Sequence, residues 1–219
     1  MMKMTCLNAM SVILFSLSLP IHAGEIRVNV KDQHGKAVED AVLLLTPVDP
    51  SKIPKLKPKD EVVDQIDKEF VPYVKPIVTG SRVFFPNKDN VRHHVYSFSQ
   101  AKSFEIQLYS GKSAAPVVLD KAGIVVLGCN IHDWMLGYIY VADTPYFGKS
   151  KSDGNITVAA LPDGEYTLKI WHPGMGMTAG ENGKRVTISE SNVAQLNWQV
   201  NLKPIIRIPR KTSGQGPGY

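Results

Sequence analysis

The stretch Gly123-Ile-Val-Val-Leu-Gly-Cys129-Asn-Ile-His132-Asp-Trp-Met135-Leu-Gly-Tyr-Ile-Tyr-Val141 decides how the rest of the chain is read. Its two ends, Gly123–Leu127 and Gly137–Val141, are short β-branched and aromatic runs with no helical period, so each reads as a strand. Between them a thiol, an imidazole and a thioether fall within seven residues. Two strands joined by a loop of potential metal donors is the local unit that this segment predicts.

The same grammar extends in both directions. Upstream, strands are expected over Gly24–Val30, Ala41–Leu45, Phe70–Val74, Arg82–Phe85, His94–Phe98, Phe104–Tyr109 and Ala115–Leu119. Downstream they are expected over Ile156–Ala159, Tyr166–Trp171, Lys184–Ile188 and Ala194–Val200, with Pro162-Asp163-Gly164 as a turn. The fold class is therefore all-β. Pro47–Asp60, with proline at 47, 50, 54 and 58 and lysine at 52, 55, 57 and 59, reads as a linker, and Asp143–Asn155 as a second zone of punctuation.

With 219 residues, 43% hydrophobic and 21% charged, the chain can bury one large or two small cores, and its composition excludes collagen, disorder and a disulfide scaffold. A hairpin made of Gly24–Val30 and Ala41–Leu45 alone is too small to be stable, so it needs a partner sheet. The net charge of +5 is mild, with its densest part at Lys203–Lys211, and no basic run with interleaved aromatics points to nucleic acid. Hydrolase elbows, zinc-protease helices and phosphate-cradling glycine loops are missing from the sequence.

Residues 1–23 place Lys3 before an apolar run from Ala9 to Leu19, then Pro20 and a small residue at Ala23. That order predicts a secretory leader cleaved near Ala23 and an exported product without membrane insertion, since the run is shorter than the ~20 residues a span needs. Removal of the leader takes Cys6 with it and leaves Cys129 unpaired. In an exported protein an unpaired cysteine is an inert buried thiol or a thiolate held by a metal.

Taken singly, Cys129 reads as a small hydrophobe, His132 as a surface residue and Met135 as a core filler. Their order, spacing and strand context favour a shared centre. Thiolate and thioether are soft ligands and imidazole is borderline, a set that suits copper and not magnesium or calcium. Zinc also takes one Cys and two His, but it leaves the thioether without a role. A second imidazole is expected from His93 or His94, directly after the turn Pro86-Asn87-Lys88-Asp89-Asn90; neighbours on a strand face opposite ways, so only one of them enters the site.

These motifs carry a resemblance. C-x2-H-x2-M between two strands with an upstream histidine is similar to the type 1 copper site of cupredoxins, with an amicyanin-like ligand loop. Val83-Phe-Phe-Pro-Asn87, the stretch from His93 to Ser99 and Val126-Leu-Gly-Cys-Asn-Ile-His132 resemble the cupredoxin-like methylamine utilisation proteins. The resemblance implies a Greek-key β-sandwich holding one copper through His93, Cys129, His132 and a weak axial Met135. It places His94, Asn87 and Trp134 around the ligands, with Leu127, Ile131 and Trp134 shielding the sulfur and one edge of His132 reaching solvent. It implies a periplasmic location for the exported product, one-electron transfer to an unidentified redox partner protein, and no enzyme.

A second resemblance concerns the flanks. The strand ending in Asp32 and Gly35, together with Ser152-Asp-Gly154 and Leu161-Pro-Asp-Gly-Glu-Tyr-Thr-Leu168, is similar to carboxypeptidase-regulatory, transthyretin-like β-sandwiches. The expected organisation is a discontinuous sandwich from 24–50 and 148–203, a cupredoxin domain at 51–147 and a flexible basic tail at 204–219, two sequential domains being the alternative. A copper carrier or sensor, or a glycan- or envelope-binding sandwich with an accessory metal site, are the rival functions. His172, Met175 and Met177 are weaker metal candidates, and the lysines at 52–59 are a solvated linker before they are a steering patch.

Overall fold

The computed structural model describes residues 24–111, 115–177, 183–190 and 192–205. The leader expected at 1–23 and nearly all of the expected tail lie outside the described residues.

Among the described residues seventeen strands carry the fold and there is no α-helix. In the first third they are β1 (Gly24–Lys31), β2 (Val42–Pro47), β3 (Asp60–Val62), β4 (Asp64–Ile66), β5 (Glu69–Val71) and β6 (Val74–Val78). Next come β7 (Ser81–Phe84), β8 (His93–Ser99), β9 (Lys102–Tyr109), β10 (Val117–Leu119), β11 (Gly123–Gly128) and β12 (Leu136–Ala142). The last are β13 (Phe147–Lys149), β14 (Asn155–Leu161), β15 (Gly164–Trp171), β16 (Lys184–Ile188) and β17 (Val193–Gln199).

Two sheets join the chain's beginning to its end. One runs β14-β1-β17, with β1 antiparallel to β14 and parallel to β17; the other runs β13-β2-β15-β16. Alternation drives their facing. Ile26, Val28 and Val30 of β1 point inward and meet Leu43 and Leu45 of β2, Tyr166, Leu168 and Ile170 of β15, and Trp198. A glycine is needed at one point of this closure. Gly154 has φ +76°, and a Cβ there would stand 2.5 Å from the carbonyl oxygen of Val30.

The middle of the chain builds a second pair of sheets, β6-β12-β11-β8-β9 and β10-β7-β3, beside the small hairpin β4-β5. Their shared core contains Phe70, Ile77, Phe85, Val95, Leu119, Leu127 and Ile139, and Cys129 and Met135 belong to it. The two halves meet through a third apolar cluster. Strand β2 turns Val42 and Leu44 to the face opposite Leu43 and Leu45, where they pack with Val74, Ile124, Tyr140 and Trp171. Being buried on both faces, β2 reads as a continuous apolar run and not as an alternating one.

Some elements differ from the sequence expectation. Phe70–Val74 divides into β5 and β6, separated by Pro72-Tyr73. Asp60, read as the end of a linker, and Glu61–Ile66, for which no strand was expected, supply β3 and β4; Glu61 is held by Lys75 at 2.7 Å and Asp60 by Arg82 at 2.6 Å. Phe147–Lys149, expected within a punctuation zone, pairs with β2.

Candidate metal centre

The Cys129 loop is anchored at both ends. β11 and β12 pair from Gly123↔Val141 to Gly128↔Leu136, so the loop leaves and re-enters the sheet at one level. Within it the Met135 N–H donates to the His132 carbonyl at 2.9 Å, and the Leu136 N–H donates to the Trp134 carbonyl at 3.0 Å. This tight turn sends Cys129 and Met135 into the core, 3% and 1% exposed, while Ile131 and Trp134 on the outer side are each 48% exposed.

Strand β8 supplies the facing imidazole. Its inward positions are His93, Val95 and Ser97, all fully buried, and its outward positions are His94, Tyr96 and Phe98. His93 Nδ1 lies 3.8 Å from Cys129 Sγ, and His132 Nδ1 lies at the same 3.8 Å on another side. The rings of His93 and His132 are 4.9 Å apart, tilted by 56°. The donor atoms of these three residues all lie within 4.8 Å of one another.

This spacing tests whether one ion fits. With a metal–sulfur bond of about 2.3 Å and metal–nitrogen bonds of about 2.0–2.1 Å, sulfur and nitrogen stand about 3.8 Å apart in a trigonal plane and about 3.6 Å apart in a tetrahedron. Both observed sulfur–nitrogen separations are of the size that one shared ion requires. One soft and two borderline donors, buried among apolar side chains with a thioether-bearing residue in the same core, fit a copper ion.

The electrostatics keep His132 available as a neutral ligand. Burial holds its pKa below the ordinary imidazole value, and the neighbouring His93 and Lys68 act in the same direction against Asp89. Beside the centre, burial pushes the Tyr109 phenol up to about 12. Its hydroxyl donates to the Phe85 carbonyl and accepts from Gln65 Nε2.

Asn87 clips the turn that precedes β8. Its Nδ2 donates to the carbonyls of Val91 (2.8 Å) and Tyr109 (3.0 Å), and its Oδ1 accepts the Asp89 N–H (2.9 Å). His94 stands outside the three-residue group: it is buried, and its Nε2 pairs with Glu105 Oε1 at 2.8 Å. Trp134 lies with its ring 5.3 Å from that of His132. The expected shield is corrected in part, because Ile131 and Trp134 are half exposed and the walls are instead Leu127 and its core neighbours.

Of the weaker candidates, His172 Nδ1 accepts the Gly174 N–H at 3.0 Å as a cap, and Met175 packs on the core of the outer sandwich. Met177 is exposed. Sequence reasoning missed Asp89, whose Oδ2 lies 2.6 Å from His93 Nε2. The only signal was a carboxylate four residues before a histidine.

No family model matches the sequence, and no curated protein matches it. Among solved structures, the chain is similar to the Cu-containing nitrite reductase of Thermus scotoductus SA-01 at 24% identity and a TM-score of 0.37, over 44% of this chain and 27% of that one. It thus spans about a quarter of the reductase's length. It is also similar to a purple cupredoxin from Nitrosopumilus maritimus, at 19% identity and a TM-score of 0.33, over 38% of this chain and 99% of that one. A reduced Cu(I) form of an amicyanin mutant aligns at 16% identity and a TM-score of 0.35, over 46% and 98%. One expectation is corrected here. The sequence implied no enzyme, yet an enzyme stands among these neighbours beside small cupredoxins, so that exclusion is dropped.

Proposed function

We propose that this is an exported copper protein of the cupredoxin kind that passes single electrons, with a type 1 centre formed by His93, Cys129, His132 and Met135. The observation that carries the reading is the convergence of two imidazole Nδ1 atoms on one buried sulfur, each at 3.8 Å. When bound, copper supplies a one-electron change between two stable oxidation states. The chain's own residues do the rest. Leu127, Phe85, Val95 and Met135 keep water from the sulfur, and a thiolate in such surroundings is tuned by its dry shell. The paired ends of β11 and β12, with His93 anchored on β8, hold the donors in one arrangement, so little has to move when an electron arrives.

His132 is the ligand nearest solvent, and Ile131, Trp134 and Leu136 around it form an apolar exposed rim. In this reading the rim is where a redox partner protein docks, because a small desolvated contact suits a transient encounter. Residues 51–147 form the copper domain, inserted between the segments 24–50 and 148–203 of an accessory transthyretin-like sandwich. Export to the periplasm follows from the leader-like 1–23, removed near Ala23. Among the described residues no helix is long and apolar enough to cross a membrane.

The test is Cu(II) addition to the purified mature protein with visible and EPR spectroscopy. An intense sulfur-to-copper charge-transfer band that disappears in Cys129→Ser is expected. A colourless protein that retains zinc instead would sink the reading. Parallel His93→Ala and His94→Ala variants should separate, with only the first losing the band.

A further inference from the structure

Asp89 sits at the meeting point of three elements. Its side chain is 11% exposed. Oδ1 accepts the Asp67 N–H at 2.7 Å, and Oδ2 accepts the Lys68 N–H at 2.9 Å and lies 2.6 Å from His93 Nε2. Asp67 and Lys68 form the turn of the β4-β5 hairpin, and both take positive φ, 54° and 59°. Neither is glycine, so the turn is held in a conformation that costs free energy, and the carboxylate offsets part of that cost by accepting both of its N–H groups. From the other side the Asp89 backbone is fixed by Asn87 Oδ1. The neighbouring ammonium of Lys88 is turned away, to Asp64 at 2.9 Å.

A carboxylate that already collects two N–H donors acts as an acceptor, so the third contact requires the proton on His93 Nε2. In the neutral ring Nδ1 is then the bare nitrogen, and it is the one that faces Cys129 Sγ at 3.8 Å. A fully buried imidazole gripped at 2.6 Å has one orientation available. The same oxygen puts a negative charge directly behind the ring, in surroundings with little water to screen it.

We infer that Asp89 is the positioning residue of the centre, fixing His93 with Nδ1 as its donor atom and biasing a bound copper toward its oxidised form. The sign follows from charge: the carboxylate stabilises the doubly charged ion more than the singly charged one. The first half is a property of the metal-free protein; the second half rests on the copper reading above.

Two measurements separate them. In the metal-free protein, long-range 15N–1H correlation of the His93 ring at pH 8 is expected to report the Nε2–H tautomer, and an Nδ1–H tautomer overturns the positioning role. This needs no substitution, so a variant that fails to fold leaves it decisive. In the copper-loaded protein, Asp89→Asn keeps its amide oxygen as an acceptor for the ring, gives up one of the two acceptor atoms of the β4-β5 turn and removes the charge. It is expected to retain the charge-transfer band while the preference for Cu(I) over Cu(II) rises about tenfold or more, about 59 mV in a one-electron potential. Asp89→Ala frees the ring and should weaken copper retention by about 10–100-fold. An Asp89→Asn protein with the band and an unshifted potential overturns the charge role. Loss of the band in the unsubstituted protein overturns the copper reading instead, while the tautomer result stands alone.

Discussion

Replacement of Asn87 by Ala removes a side chain whose amide ties the pre-β8 turn together. Two donated hydrogen bonds and one accepted bond disappear: those to the Val91 and Tyr109 carbonyls at 2.8 and 3.0 Å, and that from the Asp89 N–H at 2.9 Å. At about 1 kcal/mol net for each, the loss is about 3 kcal/mol. Asn87 is only 5% exposed, so water is poorly placed to take over and the carbonyls left behind push the figure upward. With a urea slope of about 2 kcal/mol/M, the unfolding midpoint of the metal-free protein should fall by about 1.5 M. Circular dichroism against urea is the assay. The cost should appear in the transition of the sheets that hold Phe85 and Leu127. A shift below about 0.3 M would refute the reasoning, because the turn would then be held by its backbone alone.

Other outcomes follow from the same structure. Gly154→Ala meets the Val30 carbonyl at 2.5 Å from a backbone at φ +76°, and should destabilise the outer sandwich by about 2 kcal/mol or more in chemical denaturation. Leu127→Ala opens a cavity beside Cys129 and should cost about 2–5 kcal/mol in the same assay, with faster alkylation of the thiol as a second readout. Burial holds the pKa of His132 and of His172 below the ordinary 6.5, so the unfolded chain takes up protons first. The metal-free protein should therefore lose stability as pH falls from 6.5 through the folded-state values. The slope should flatten in His172→Gln, and a pH-independent midpoint between 7 and 5 would contradict it.

Where the chain alternates or runs apolar, its strands were legible: Gly24–Val30, Phe104–Tyr109 and Tyr166–Trp171 all lie within observed strands. The grouping of Cys129 with His132 and His93 was legible too, because thiol and imidazole share one loop and strand geometry lets only one of His93 and His94 face inward. What escaped was held by distant partners. Strands β3 and β4 are three residues each, with Asp60, Glu61 and Asp64 among them, and they are fixed by pairing with β7 and β5, their carboxylates being met by Arg82, Lys75 and Lys88. The Asp67-Lys68 turn has no glycine, and its partner Asp89 lies more than twenty residues away. Asp89 itself sits in a stretch where aspartate is ordinary turn chemistry, so nothing local distinguishes it.

The parallel pairing of β1 with β17 joins the first of the described strands to the last. Without Val193–Gln199 in place, one edge of Gly24–Lys31 has no pairing strand and is open to association with other chains. The sheets between them find all their neighbours earlier, within residues 60–142. The inner sheets therefore depend on no pairing with β1 or β17, whereas the outer sheet is closed only by contact between strands far apart in the chain.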